Sequence, residues 1–576
     1  MSNPLRARVI NRRSTRRVGG ATALLAAIAL AAGCQGGSVT STGTSSGTSS
    51  VTAASTSQDS ESTATVWTEI TADVAAASTG ATVAEIAAAN AEVTDSTTTA
   101  DDAGTYDSAS ATTITLEGGG ASASGTDAAS VSVDGSTVTI TGGGTYVLSG
   151  TLSDGQLVVN APDEQVRLVL DGATVTNTDG AAVVIQDAGD AIVVLARGST
   201  NTLADGATYA DTSTDAPSAA LWSSDTLTIT GTGSLKVTGS FNDGISSKNG
   251  LIVTGATTIT VDAADDGLRG KDYLVVESGT LNVTAGGDGL KSSEDTEVDK
   301  GFVALGGASI TISAGDDGVS ATTDVTVAGT TLTITAGGGT ANAVAEEQGG
   351  PGQQAAEDTS ASPKGVNAAV SYTQDSGTVT IDAADEGIQA VFINVGGGAL
   401  NIASGDDGIN ASNGDLTVAG YGEVDSEADD GSVLTISGGT VQISHTYSDG
   451  IDSNGSAAVT GGLVVVNGTT GSMDGPVDTN GAATLVGITG GPSVSAGDTI
   501  TVTAADGTTQ TLTSALSAEA ITVLGLVEGQ QYVVATTSGG STTGTAASLA
   551  TDMGPGTGPD MGPGADPGAG GSPGGN

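Results

Sequence analysis

Short stretches of alternating apolar and polar residues recur along most of the chain after about residue 112. They are rich in Val, Ile and Thr and are bounded by Gly, Asp or Asn, which is the pattern of β-strands. Examples lie at residues 138–140, 258–261, 379–381 and 434–436. The run 181–195 is almost entirely apolar, as expected for strands that are covered on both faces. The pattern therefore predicts an all-β protein.

A short motif repeats between Asn242 and Asp478: one or two acidic residues, a glycine and then an aliphatic residue. The motif glycines are Gly244, Gly267, Gly289, Gly318, Gly365, Gly387, Gly408, Gly450 and Gly475. Their intervals are 23, 22, 29, 47, 22, 21, 42 and 25 residues, so a solenoid coil of about 22 residues is expected. We interpret the two longest intervals as two coils each, with an insert at 346–363 in the first of them.

Such a repeat predicts a right-handed parallel β-helix, because crossover connections between parallel strands are right-handed. The composition agrees: aromatic residues make up only 2% of the chain and glycine occupies 90 positions, so a thin column of aliphatic side chains is the available core. Residues 111–490 are assigned to this helix and 491–545 to a C-terminal β cap. Residues 35–110 read as a flexible Ser/Thr/Ala-rich linker with one short helix at 81–93, and 546–576 as a disordered Gly/Pro tail.

The N-terminus indicates export. Basic residues up to Arg17 precede an apolar run at 21–32, and Cys34, the only cysteine, follows Ala-Gly as in the lipobox of bacterial lipoproteins. We therefore expect residues 1–34 to be a signal peptide with a lipid anchor on Cys34, which holds the protein at the cell surface; ordinary secretion is the alternative. The formal charge of -50 argues against nucleic acid and favours cations.

The acidic residues that precede the motif glycines are expected to stack in a column along the solenoid. They are Asp243, Asp266, Asp288, Asp317, Glu386, Asp407, Asp449 and Asp474, with second acids at Asp265, Asp316, Asp385 and Asp406. Like charges about 5 Å apart repel by about 1–3 kcal/mol per pair, and calcium between coils would remove that cost. The alternative is that each Asp-Gly only makes a turn.

Residues two after each motif glycine are expected to face solvent in one line. Four basic residues gather near this line: Arg269 and Lys291, which stand two after their glycines and beside each other on adjacent coils, and Lys248 and Lys271, which stand four after theirs. They suit an anionic sugar polymer, or are ion pairs with neighbouring acids. His445, the only histidine, is expected on a strand surface.

The segment 144–152 (GTYVLSGTL), residues 166–172, residues 201–206 and the Asp-Gly-Ile coils together resemble a family of bacterial carbohydrate-binding β-helices. The resemblance covers about 112–540. It implies a pectate-lyase-like right-handed β-helix that binds calcium and acidic or cellulosic polysaccharides, with Asp265, Asp266, Asp288, Asp316 and Asp317 among the calcium ligands. The copy at Lys364-Gly365 lacks its acid.

Three functions follow as hypotheses. The first is a surface-anchored, calcium-dependent polysaccharide-binding protein without catalysis, acting as a monomer. The second is a lyase on uronates with Arg269, Lys271 or Lys291 as base. The third is an adhesive or structural stalk.

Overall fold

The computed structural model describes residues 67–213, 215–345, 362–414, 416–422, 428–468 and 475–549. Strands dominate these residues, so the all-β prediction is confirmed. In this part of the chain no helix combines the length and the apolar character needed to cross a membrane. Cys34, Asp474 and residues 550–576 of the predicted Gly/Pro tail lie outside the described residues, but Ala547–Ser548, at the start of that predicted tail, forms a strand, so the disordered tail was placed a few residues too early.

Strands about 22 residues apart pair in parallel and build three long rows, which we call the motif row, the second row and the third row. The motif row contains Ala219–Ser223, Asp243–Ser247, Leu268–Gly270, Leu290–Ser292, Val319–Ala321, Ile409–Ala411 and Ile451–Ser453. The second row contains Leu227–Gly231, Gly250–Val253, Tyr273–Val276, Phe302–Leu305, Val433–Ile436, Ser456–Val459 and Ala483–Thr484. The third row contains Thr200–Ala204, Ser234–Gly239, Thr258–Ala263, Thr280–Ala285, Ser309–Ala314, Ala399–Ser404, Thr440–His445 and Leu463–Gly468.

Six longer strands run through two or three rows: Gly144–Leu152, Gln156–Thr176, Val183–Leu195, Asp324–Ala336, Val366–Ala383 and Ile388–Val395. At the N-terminal end Thr112–Gly118 pairs antiparallel with Ala121–Gly125, and Val131–Asp134 pairs antiparallel with Thr137–Ile140. These hairpins precede the first parallel pairings, of Thr137–Ile140 with Gln156–Thr176 and of Thr112–Gly118 with Gly144–Leu152.

The aliphatic residue after each motif glycine points into one continuous apolar core, as predicted. All eight that the motif row contributes are 0% exposed: Ile245, Leu268, Leu290, Val319, Val366, Ile388, Ile409 and Ile451. Alternating positions of the third row, such as Ile259 and Val261, fill the same core. The period of two in the sequence is therefore a division between core and outer surface.

The long intervals between motif glycines are single coils, which corrects the expectation of two coils each. Val319 is the direct strand partner of Val366, and Ile409 is linked to Ile451 in the same way. The motif-row strands keep their register across both intervals, because an insertion at a turn does not disturb the strands on either side.

Eight of the nine motif glycines, from Gly244 to Gly450, are required by close packing. None of them has a left-handed φ. A Cβ on Gly267 would lie 2.3 Å from Val283 Cγ1 and 2.5 Å from the Gly289 carbonyl oxygen, and Gly289 is crowded in the same way by Ile312 and Gly318. Any larger residue would push adjacent coils apart, so the interpretation of Asp-Gly as a simple turn does not explain the glycine.

Residues 67–110, which we call the strap, differ from the flexible linker expected over 35–110. The strap contains a two-residue strand, Glu69–Ile70, and three helices, Ala72–Ser78, Val83–Ala89 and Thr99–Asp102. The second helix lies within the predicted 81–93. A few apolar residues, Ile70, Val83 and Ile86, are buried although the average composition is polar.

The strap crosses the outer face of the second row. Near its start the Gly80 N–H donates to Asn394 Oδ1 (2.7 Å), and near its end Arg167 pairs with Asp101 (3.2 Å). Apolar strap residues pack against outward-facing positions such as Ile192 and Val194, so the apolar run 181–195 is covered on both faces as predicted.

The C-terminal residues form a second, smaller apolar core beside the three rows. A four-stranded antiparallel sheet consists of Thr499–Ala504, Thr509–Thr513, Gln531–Thr536 and Gly540–Thr545. Ile521–Leu524 lies between this sheet and the parallel rows, and it pairs with Leu463–Gly468 and with Val486–Ile488. Val486–Ile488 also pairs with Ala547–Ser548. Near this junction His445 is only 2% exposed, so the prediction of a surface histidine was wrong.

Asp324 makes stability depend on pH. Burial raises its pKa to about 6, although Ser371 Oγ donates a hydrogen bond to Oδ1 (2.6 Å). A carboxyl whose pKa is higher in the folded than in the unfolded state contributes stability below the unfolded pKa of about 4 and loses it as the pH rises through about 6.

Asparagine stays neutral at every pH. We therefore predict that the unfolding free energy of Asp324→Asn, relative to the wild type, increases by up to about 3 kcal/mol when the pH is raised from about 4 to about 8. Urea unfolding at the two pH values measures the difference. The exposed Asp262→Asn serves as control and should show no such trend. An equal effect of Asp324→Asn at both pH values would contradict the prediction.

Candidate functional site

The acidic residues of the motif form a buried column along one edge of the motif row, as predicted. Asp243, Asp266, Asp288, Asp317, Glu386, Asp407 and Asp449 are all at most 8% exposed, and we call them the carboxylate column. The second acids lie further out: Asp316 is exposed, and Asp265, Asp385 and Asp406 are half-buried.

A hydrogen-bond ladder links the column from coil to coil. The backbone N–H of Asp288 donates to Asp266 Oδ1 (3.0 Å), that of Asp317 to Asp288 Oδ1 (3.0 Å) and that of Lys364 to Asp317 Oδ1 (2.9 Å). Asp407 accepts from the Asp449 N–H in the same way (2.8 Å). A hydrogen bond contributes about 0.5–1.5 kcal/mol with a neutral acceptor and about 1.5–3 kcal/mol with a charged one, so these rungs stabilise the stack.

The residues two after each motif glycine, which we call the facing residues, lie over this column. They were expected to face solvent, but most are half-buried, and three of them, Lys291, Asn367 and Asn410, contact the acid of the preceding coil. Lys291 Nζ lies 3.3 Å from Asp266 Oδ2, an ion pair without hydrogen-bond geometry, and 3.2 Å from Asp288 Oδ2. Asn367 donates to Asp317 (3.0 Å) and Asn410 to Glu386 (3.4 Å).

Lys364 occupies the place of a carboxylate. Its side chain is 9% exposed, and its Nζ lies 2.7 Å from Glu386 Oε2 and 3.3 Å from Asp385 Oδ2. The copy that lacks an acid therefore supplies an internal cation to the next coil. Sequence reasoning missed this role, although the Asp385-Glu386 pair that follows was a signal for it.

Three acids converge near the middle of the motif row, and Lys291 contacts one of them, Asp288 (3.2 Å). Asp288, Asp316 and Asp317 bring one carboxylate oxygen each to within 4.8 Å of one another. Burial raises the pKa of Asp288 to about 8 and that of Asp317 to about 6. Oxygen donors at this separation suit calcium, so these three residues are the candidate metal ligands that the geometry favours.

The N-terminal member of the column carries an unsatisfied oxygen. Asp243 is 0% exposed, its Oδ1 accepts from Asn242 (2.9 Å), and no described donor bonds Oδ2. Burial, followed by the charge of Asp266, raises its pKa well above the usual range. A buried carboxylate oxygen without a donor costs free energy unless a proton or a cation reaches it.

Near the C-terminal end an acid stands where several other coils place a cation or an amide. Asp452 is the facing residue opposite Asp407, and burial raises the pKa of Asp452 to about 7. Its place two after Gly450 was visible in the sequence, but its carboxylate was not recognised as part of the site.

The predicted basic residues are brought together only in part. Arg269 and Lys291 are direct strand partners, as expected. Lys271 pairs with Glu294 (3.2 Å) and Lys248 with Asp215 (3.1 Å), so both point to loop acids. Arg269 donates to Ser293 Oγ (3.0 Å). The ion-pair interpretation therefore accounts for Lys248, Lys271 and Lys291.

Residues 134–408 match the family described as "Carbohydrate-binding domain-containing protein". The chain is similar to carbohydrate-binding proteins. A carbohydrate-binding domain-containing protein from Acetivibrio thermocellus is 42% identical over 129 residues, which are 22% of this chain and 45% of that relative. The chain thus spans less than half the length of this relative.

A solved structure of a polysaccharide lyase-like protein from C. thermocellum, a gadolinium derivative, has 35% sequence identity to the chain. It covers 39% of this chain and 92% of its own, with a TM-score of 0.37.

We predict that Lys364→Met destabilises the protein by about 3–5 kcal/mol, because Glu386 would remain buried without its cation. Adding Glu386→Gln should recover most of the loss, since the double variant holds no unpaired charge. Urea unfolding of the two variants measures the coupling, and Lys236→Met, an exposed lysine of the third row, is the control. Additive effects of the two substitutions would show that the pair does not interact.

Proposed function

We propose that this protein is a calcium-dependent polysaccharide-binding protein without catalytic activity, held at the cell surface by a lipid on Cys34. Its three rows would wind as a right-handed parallel β-helix. The parallel registers and the right-handed preference of such crossovers support that winding. The similarity of residues 134–408 to a carbohydrate-binding family supports a glycan partner.

The observation that carries the calcium proposal is the convergence of Asp288, Asp316 and Asp317. Two of these carboxylates are buried and the third is exposed, so a cation held there would remain open to a ligand. The hydrogen bonds that Asp266 and Asp288 accept from backbone N–H groups fix those carboxylates without neutralising them. A uronate would add its own carboxylate to such a cation, with Arg269 and Lys291 nearby on the same face.

The state of the basic residues favours binding over lysis. A lyase base must give up its proton, whereas Lys291 lies against two carboxylates and Lys271 against Glu294. Both ammonium groups are therefore already engaged in ion pairs. Polygalacturonate incubated with protein and calcium should yield no unsaturated product that absorbs in the ultraviolet; its appearance, and its loss in Lys291→Met, would establish the lyase instead.

Removal of calcium should destabilise the wild-type protein. At calcium about a hundredfold above Kd, binding to the folded state alone contributes about 2.7 kcal/mol. Asp316→Asn should lose most of the resulting increase in melting temperature, because the exposed Asp316 supplies charge to the cluster but is not a rung of the hydrogen-bond ladder. Combined Asp266→Asn and Asp288→Asn should abolish most of it while leaving each Oδ1 as an acceptor.

Asp262→Asn, an exposed acid on the third row, is the matched control and should keep the full calcium response. A wild-type melting temperature that is indifferent to calcium and to chelator would show that the column is structural only. Pull-down on polygalacturonate and on cellulose, with and without chelator, tests the glycan. If the protein binds neither polysaccharide in the presence of calcium, the adhesive or structural stalk becomes the better explanation.

A further inference from the structure

The face that carries Arg269 and Lys291 continues toward the N-terminus without the carboxylate column. Strand pairing places Val184, Trp222, Ser246, Arg269 and Lys291 in one line. Four strand spacings separate Val184 from Lys291, about 19 Å. The two ends of this line differ in charge and in shape.

Small residues replace the acid in the N-terminal coils. Ala219 is the strand partner of Asp243, and Ala181 and Gly155 stand at the same position, two residues before Val183 and Leu157. A cleft of about 470 Å³ lies here, and both Ala181 and Gly155 line it. The cleft thus occupies the part of the coil that further along is filled by a carboxylate and its partners.

One wall of the cleft is an aromatic side chain on the loop after the third-row strand Thr200–Ala204. Tyr209 stacks on Phe241, with ring centroids 4.2 Å apart and planes at 18°, and its hydroxyl donates to Asp205 Oδ2 (2.8 Å). The Ala210 N–H bonds the Asp179 carbonyl (3.0 Å), which ties the loop to the opposite wall. Tyr209 is therefore held in a fixed orientation.

The floor of the cleft presents fixed amides. Gln156 Nε2 and Asn177 Nδ2 both donate to the Ala181 carbonyl, each at 2.9 Å, and Asn177 Oδ1 accepts from the Asp179 N–H (3.3 Å). Within the described residues no hydrogen bond reaches Gln156 Oε1, which is left to accept one from a ligand. Held amides beside an aromatic ring form a preorganised site for a molecule with hydroxyl groups and apolar C–H faces.

The charge of the cleft restricts the ligand. Its described lining includes Asp154, Asp179 and Asp211 and no lysine or arginine. These acids do not converge as Asp288, Asp316 and Asp317 do, so the cleft is not a second metal site of that kind. An anionic sugar would be repelled, whereas a neutral sugar can donate its hydroxyl hydrogens to carboxylate and amide oxygens.

We propose that this cleft is a metal-independent binding site for neutral sugar units. It lies on the same face of the molecule as the proposed calcium site for acidic units at Asp288, Asp316 and Asp317. The proposal rests on the glycan-binding function above and assigns it a second location with a different ligand class. A polysaccharide lying along the face would contact the cleft through uncharged units and the carboxylate column through charged ones.

Calorimetric titration with a neutral β-1,4-linked hexasaccharide in chelator tests the cleft. Wild-type protein should bind it, Tyr209→Ala should weaken binding at least tenfold, and Tyr209→Phe should retain most of it because the ring remains. Gln156→Ala, on the opposite side of the cleft, should also weaken binding, and Tyr447→Ala is the control because Tyr447 is an exposed tyrosine outside the cleft lining. Melting curves show that each variant is folded.

No binding to a panel of neutral gluco-, xylo- and manno-hexasaccharides would overturn the proposal, and so would equal affinity in wild type, Tyr209→Ala and Gln156→Ala. The same titration with hexagalacturonate and calcium separates the two sites. Loss of acidic binding in Asp316→Asn with neutral binding unchanged supports two sites, whereas neutral binding that also requires calcium or Asp316 would contradict an independent cleft.

Discussion

The structure depends on the close approach of successive coils at the motif. There the backbone N–H of one coil reaches the carboxylate of the coil before it, and the adjoining glycine leaves room only for hydrogen. In the run from Asp266 through Asp288 to Asp317 this contact recurs at 3.0 Å. A hydrogen bond to a charged acceptor is geometrically demanding, so the ladder fixes the register of the motif row. That register in turn sets which residues enter the core.

The same contact creates an electrostatic burden, because carboxylates fixed one strand apart and away from water repel each other and lose hydration. The chain compensates differently in different coils. Lys291 reaches back to Asp266, Lys364 replaces an acid altogether, and amides at Asn367 and Asn410 donate to the acids before them. At Asp288, Asp316 and Asp317 three carboxylates converge, and burial raises the pKa of the inner two. Lys291 supplies one positive charge there, at Asp288 (3.2 Å), against three carboxylates, so a bound cation would add to that compensation.

Much of this arrangement was predictable from the sequence, because it follows from periodicity. The interval of 22 residues gave the coil, and the alternation gave the inward residues such as Ile245. Other features depend on neighbours that are distant in the sequence. Asn367 faces Asp317 across 50 residues of sequence, and the strap is held by residues such as Asn394, more than 300 positions away. Average composition could not reveal those contacts. The lysine at 364 looked like a lost motif because its partner, Glu386, lies in the next coil.

The contrast between the two ends of the face follows from a single position in the coil. With an acid at that position the coil presents a carboxylate to the ladder, and several of the facing residues are cations or amides, such as Lys291, Asn367 and Asn410. With Gly155, Ala181 or Ala219 the rung is absent, the facing residues Val184 and Trp222 are apolar, and a loop bearing Tyr209 covers them. A small residue in place of the acid therefore removes the carboxylate charge and also leaves empty the space that the carboxylate fills in other coils. Because both changes come from the same substitution, one repeated fold can carry uncharged and charged surfaces side by side without altering its register.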